Sequence, residues 1–166
     1  MVDISEILDF KVVPHSALRS SPIPLVATLI LQCQPAIADD LADLKAANES
    51  IDNAINAGDA NALIEVWQDG AVMIAGAGFP AVTNTATFLP MVKRLLERNT
   101  ILSTWYKVDY RVIGDTGLVW GVGRLSITSK ETNNVETNYS KSCRVFVKSK
   151  GKWKLAMLHA SPIVLE

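Results

Sequence analysis

The chain reads as an α+β domain in which three N-terminal helices pack on a curved antiparallel sheet. Three observations predict this. Apolar residues recur at helical spacing between residues 39 and 98, the period changes to two after Asn99, and turn residues then punctuate the chain at hairpin intervals.

The first helix begins at Asp39 or Asp40, either of which can cap it. Leu41, Leu44, Ile51 and Ile55 share one face, and Gly58 ends the helix. Asp59 caps a second, short helix, "ANALIEVWQ", with Leu63, Ile64 and Trp67 turned inward. The apolar run "AVMIA" (71–75) is a short strand closed by Gly76-Ala77-Gly78. A third helix fits 86–98, burying Phe88, Leu89, Val92, Leu95 and Leu96, with Pro90 near its first turn. Beyond Asn99, "STWYKVDYRVI" sets Tyr106, Val108, Tyr110 and Val112 against Trp105, Lys107, Asp109 and Arg111. "GLVWGVGRLSITS", "TNYSKSCRVFVKS" and "GKWKLAMLHAS" complete a four-strand meander. Its turns are Gly114–Gly117, Thr132–Asn134 and Lys150-Gly151.

The 166 residues are 49% hydrophobic and 20% charged with net charge −1, which suits one core and gives no electrostatic reason to expect nucleic acid. No apolar run is long enough for a spanning helix. The first 38 residues differ from the rest. "IPLVATLIL" (23–31) follows Arg19 and precedes Ala36-Ile37-Ala38, the pattern of a signal peptide cleaved after Ala38. Asp3, Glu6 and Asp9 do not suit such a leader, so a start nearer Leu18 is one explanation, and a hydrophobic arm docked on the domain is the alternative. The expected division is a leader, 1–38, and a periplasmic or secreted domain, 39–166. Cys33 leaves with that leader, and Cys143 remains without a disulfide partner. His15 and His159 are the only histidines, and no Cys/His spacing suits zinc, so neither metal nor cofactor is expected.

Two stretches carry a family resemblance. "AINAGDANALIEVWQDGAVMI" (54–74) followed by "CRVFVKSKGKWKLAMLHAS" (143–161) resembles the SnoaL-like branch of the nuclear transport factor 2-like (cystatin-like) superfamily. Arg144, Gly151, Trp153, His159 and Ser161 fall at the spacings of the C-terminal motif. The resemblance spans most of 41–161. It implies a conical α+β fold in which helices and a bent sheet enclose a pocket, usually in a dimer. It does not imply one function, because the superfamily includes isomerases, cyclases, dehydratases and oligomerisation domains. The steroid isomerase mechanism is excluded by residue. Aligned on "NAGD" (56–59), the oxyanion tyrosine of that group falls at Ile51 and its catalytic aspartate at Ala75. The helix-ending acid pair is cut to Asp69-Gly70.

Site candidates come from the last hairpin. With Lys150-Gly151 as a two-residue turn, Arg144 pairs with Met157, Ser142 with His159 and Ser140 with Ser161. Arg144 and His159 are then diagonal neighbours on one face, roughly 7–8 Å apart. On this register Arg144 anchors an anion, and His159 exchanges a proton or hydrogen bond. Ser142, Ser161, Arg124 on the neighbouring strand, Trp67 and Tyr110 complete the lining. Related oligomerisation domains carry pocket arginines at the position matching Arg144. The opposite face, with Val145, Val147 and Leu158, is apolar and suits a homodimer. Plainer roles stand beside these: Arg144 reaching solvent, His159 bonded to a carbonyl, Ser161 as a strand end, the tryptophans as core, and "KSKGKWK" as a solvated hairpin tip. The expected function is binding of a small anionic or carbonyl-bearing organic molecule. Alternatives are a lyase, isomerase or cyclase with His159 as acid–base group, or a homo-oligomerisation module.

Overall fold

The computed structural model describes residues 34–74 and 84–164, all within the unit Cys33–Glu166. Three helices, α1 (Gln34–Ala57), α2 (Ala60–Val66) and α3 (Thr85–Arg98), pack on a five-stranded sheet. Its strands are β1 (Trp67–Ile74), β2 (Asn99–Ile113), β3 (Thr116–Ser129), β4 (Val135–Ser149) and β5 (Lys152–Pro162). The order is β1-β5-β4-β3-β2. The meander is antiparallel as expected, and β1 adds a parallel edge against β5, so the sheet is mixed. Most of the expected leader lies outside the described residues. No helix among those described is long and apolar enough to cross a membrane.

Helix α1 stops where the sequence says. Gly58 has φ +71°, and Gly58 N–H and Asp59 N–H bond back to the Ile55 and Ala54 carbonyls at 3.0 and 2.8 Å, a Schellman ending. Asp59 then caps α2, its carboxylate accepting from Asn61 and Ala62 N–H. Trp67 is already extended, so α2 is shorter than expected and Trp67 opens β1. Helix α3 starts at Thr85 under an Asn84 cap and runs through Pro90. The proline withholds an N–H from the carbonyl of Ala86, and both residues are exposed, so water can serve that carbonyl.

Two bulges curve the sheet. In β2 the register shifts between Trp105 and Lys107, so Tyr106 is the extra residue. Trp105 and Val108 face the helices, while Tyr106 and Lys107 face out. Gly121 lies opposite Val108, and a Cβ there would sit 2.0 Å from the Lys107 carbonyl oxygen, so only glycine allows this approach. In β5 the extra residue is Ala156: Phe146 pairs with Leu155, but Val145 pairs with Met157. The Lys150-Gly151 turn is of the expected kind, with φ +50° and +76°. The core lies between the helices and the concave face, with Leu44, Ile51, Val119, Phe146 and Leu155 at its centre. At the far end Lys148 Nζ pairs with Asp40, and Trp153 Nε1 donates to the Asp40 carbonyl at 3.1 Å, tying the early part of α1 to the last hairpin.

Candidate functional site

The bulge at Ala156 reverses the faces expected beyond it. Arg144 pairs with Leu158 and Ser142 with Ala160, whereas His159 pairs with Cys143 and Ser161 with Lys141. Paired residues in an antiparallel ladder share a face. Leu158 and Ala160 therefore join Arg144, Ser142 and Ser140 on the concave side, and His159, Ser161 and Met157 turn to the convex side. There His159 Nε2 lies 3.5 Å from Ser161 Oγ. The expected Arg144–His159 diagonal is not formed, and Leu158 leaves the convex face assigned to it.

Arg144 is 5% exposed and does not wait for an external anion. Its Nη2 donates to Asp52 Oδ1 at 2.8 Å and its Nη1 to Asp52 Oδ2 at 3.1 Å, a bidentate pair. Nη1 also donates to Asn48 Oδ1 at 2.7 Å. Ser103 Oγ donates to Asp52 Oδ1 at 2.8 Å, and Trp105 Nε1 donates to Oδ2 at 2.9 Å, so each carboxylate oxygen accepts twice. The Trp105 ring lies under the guanidinium, 5.0 Å from its central carbon. Burying two charges costs several kcal/mol per ion, and a pair this fully bonded is the arrangement that offsets it. Arg144 Nε has no partner among the described residues.

Helix α1 supplies this network at intervals of four. Asn48 meets Arg144 and donates Nδ2–H to Tyr110 Oη at 3.3 Å. Asp52 meets Arg144, Ser103 and Trp105. Asn56 exchanges two hydrogen bonds with the Ser103 backbone. Tyr110 belongs to this network and does not line the cavity. Burial pushes its pKa above the usual tyrosine value, partly countered by the Asn48 hydrogen bond.

Beside the network lies a cavity of about 200 Å³. Helix α1 contributes Ile51 and Ile55, and α3 contributes Phe88, Met91, Val92, Leu95 and Leu96. Trp67, packed on Phe88 at 3.9 Å between ring centroids, and Met73 come from β1, and Leu158 and Ala160 from β5. Polar side chains are few: Ser103, Thr104, Ser140, Ser142, Arg144 and Arg124. The unbroken β3–β4 register sets Arg124 opposite Thr104 and Tyr139, one step out of phase with Gly123 and Leu125. Its Cβ therefore lies on the convex side although the residue borders the cavity. No Asp, Glu, His, Cys, Lys or Tyr is among the described lining residues. No three potential metal-ligating side chains cluster among the described residues.

Of the expected lining, Arg144, Ser142, Arg124 and Trp67 border the cavity, and His159, Ser161 and Tyr110 do not. The sequence reading missed Asn48, Asp52, Ser103 and Trp105. A signal for the first two was available, because Asn48 and Asp52 interrupt the buried side of α1.

Residues 44–165 match the SnoaL-like domain family model. The chain belongs to the SnoaL-like family. Solved structures repeat its fold. A ketosteroid isomerase-like protein from Erwinia carotovora atroseptica has 23% identity and TM-score 0.65 over 76% of this chain and 98% of that one. A candidate dehydratase of the nuclear transport factor 2-like family from Streptomyces avermitilis has 21% identity and TM-score 0.66, over 77% and 99%. A nuclear transport factor 2-like superfamily protein from Salmonella enterica, at 7% identity, reaches TM-score 0.69 over 77% and 94%. At these identities the likeness is one of fold. No curated protein matches the chain.

Proposed function

We propose that this SnoaL-like domain binds a small organic molecule in the cavity between its helices and its sheet. One observation carries the reading. The lining is an apolar wall with a few hydroxyls, and its buried cation, Arg144, is already neutralised by Asp52. Binding needs no more than this. Proton transfer with His159 as acid–base group would need that ring on the cavity side, and its register position is on the other.

The test is a thermal-shift screen of the full chain against small ketones, esters and organic acids, repeated with Ala160→Leu. The leucine fills the cavity from β5, so the variant keeps or raises its own Tm and loses the ligand-induced shifts. Shifts that persist unchanged in Ala160→Leu sink the assignment to this cavity. For the convex face, the corrected register sets Met157 and His159 beside Val145 and Val147, and we read this surface as the homodimer contact. Val145→Glu then yields a monomer by light scattering. Export of the chain with cleavage after Ala38 belongs to the same reading, and N-terminal sequencing of protein from cells tests it.

A further inference from the structure

We propose that Arg144 Nε and the Ser140/Ser142 hydroxyls form an oxygen subsite, and that the guest is a neutral, monocyclic carbonyl compound. This rests on reading the cavity as a ligand site. A guanidinium carries five N–H groups. Those on Nη1 and Nη2 face Asn48 and Asp52, while the Nε–H is buried and unpartnered among the described residues. A buried donor left unmade weakens the fold unless something else accepts from it.

Ser142, two residues away on the same face of β4, also lines the cavity, and its hydroxyl lies 3.2 Å from that of Ser140. Two hydroxyls sharing one hydrogen bond leave one O–H free to donate. One oxygen with two lone pairs can accept from both the Nε–H and this O–H, as a carbonyl does.

The charge state selects within carbonyl compounds. Asp52 balances Arg144, so a carboxylate at this subsite would meet no uncompensated cation and would still lose its hydration, while Arg124, the other cation of the lining, is rooted on the convex side of β3. A ketone, aldehyde, ester or amide brings an acceptor without that cost. Volume selects further. A dry cavity of about 150 Å³ admits benzene, so about 200 Å³ suits one ring with a short substituent. Phe88, Val92, Leu96 and Leu158 would contact the ring.

The experiment titrates the full chain with acetophenone, cumene and benzoate, and follows the assigned Arg144 Nε–Hε resonance by NMR. Acetophenone is expected to bind about tenfold tighter than cumene, its shape-matched hydrocarbon, which corresponds to one hydrogen bond to a charged donor. It should also move the Nε–Hε resonance and exceed benzoate. In Ser142→Ala the preference for acetophenone over cumene should shrink severalfold. If cumene binds and acetophenone binds no tighter, or leaves the resonance in place, the oxygen subsite is wrong and the cavity reading survives. If benzoate binds tightest, the neutral guest is wrong. If none of the three binds, both readings fall together.

Discussion

Arg144 and Asp52, 92 residues apart, meet as a bidentate ion pair that joins the middle of β4 to the inner face of α1. The pair fixes how the first helix lies across the sheet, and so the depth of the cavity beside it. It also spends the charge that would otherwise make Arg144 a receptor for anions.

Removing one partner leaves the other charge buried. Asp52→Asn should cost about 3–5 kcal/mol in urea unfolding. The double variant Asp52→Leu/Arg144→Met should lose less than the sum of the losses of Asp52→Leu and Arg144→Met measured singly. Losses that add within about 0.5 kcal/mol would mean that the two side chains act independently.

Glycines separate by cause. At Gly121 a methyl group would lie 2.0 Å from the Lys107 carbonyl oxygen, and backbone has no rotamer with which to yield. Gly121→Ala should cost at least about 3 kcal/mol, the upper end of overpacking. Gly58 has open space around it and only the penalty of φ +71°, so Gly58→Ala should cost about 1 kcal/mol. Equal losses from the two variants, in the same unfolding assay, would remove the bulge from its place at the bend.

Alkaline pH should destabilise the fold through two groups. Tyr110 is raised above 10.0, chiefly by burial, and Lys148 above 10.5, chiefly by its hydrogen bond to Asp40. In each case the unfolded chain loses its proton first. The native state then binds more protons, and stability falls as pH rises from about 10 upward. Tyr110→Phe should flatten the first part of that fall, as read from Tm against pH. An unchanged alkaline slope in Tyr110→Phe would show that burial of the phenol does not matter there.

The helices and the meander were legible because each rests on a local signal. Gly58-Asp59 ends one helix and caps the next, and Lys150-Gly151 adopts the two positive φ values that a primed turn requires. Bulges have no such signal. One extra residue at Tyr106 and another at Ala156 reverse the alternation that follows, and both lie in runs that read equally well as regular strands. This is why plain alternation groups Trp105 with Lys107 and Asp109 and turns His159 toward Arg144. The ladder Asn48, Asp52, Asn56 was readable as polar residues every four positions on a helix. What it binds was not, because its partners on β2 and β4 are set by the curved sheet.

The face of His159 is open to direct test. His159→Ala should leave the affinity of cavity ligands unchanged within about twofold, because Leu158 and Ala160, not His159, meet the cavity. Leu158→Ala should weaken an apolar guest about tenfold, the equivalent of losing about two buried methylenes of contact. A regular β5 without the Ala156 bulge predicts the reverse ranking, since it turns His159 inward and Leu158 outward. The two variants measured side by side against one ligand therefore choose between the two registers. A larger loss in His159→Ala would return that ring to the cavity, and with it the case for proton-transfer chemistry there.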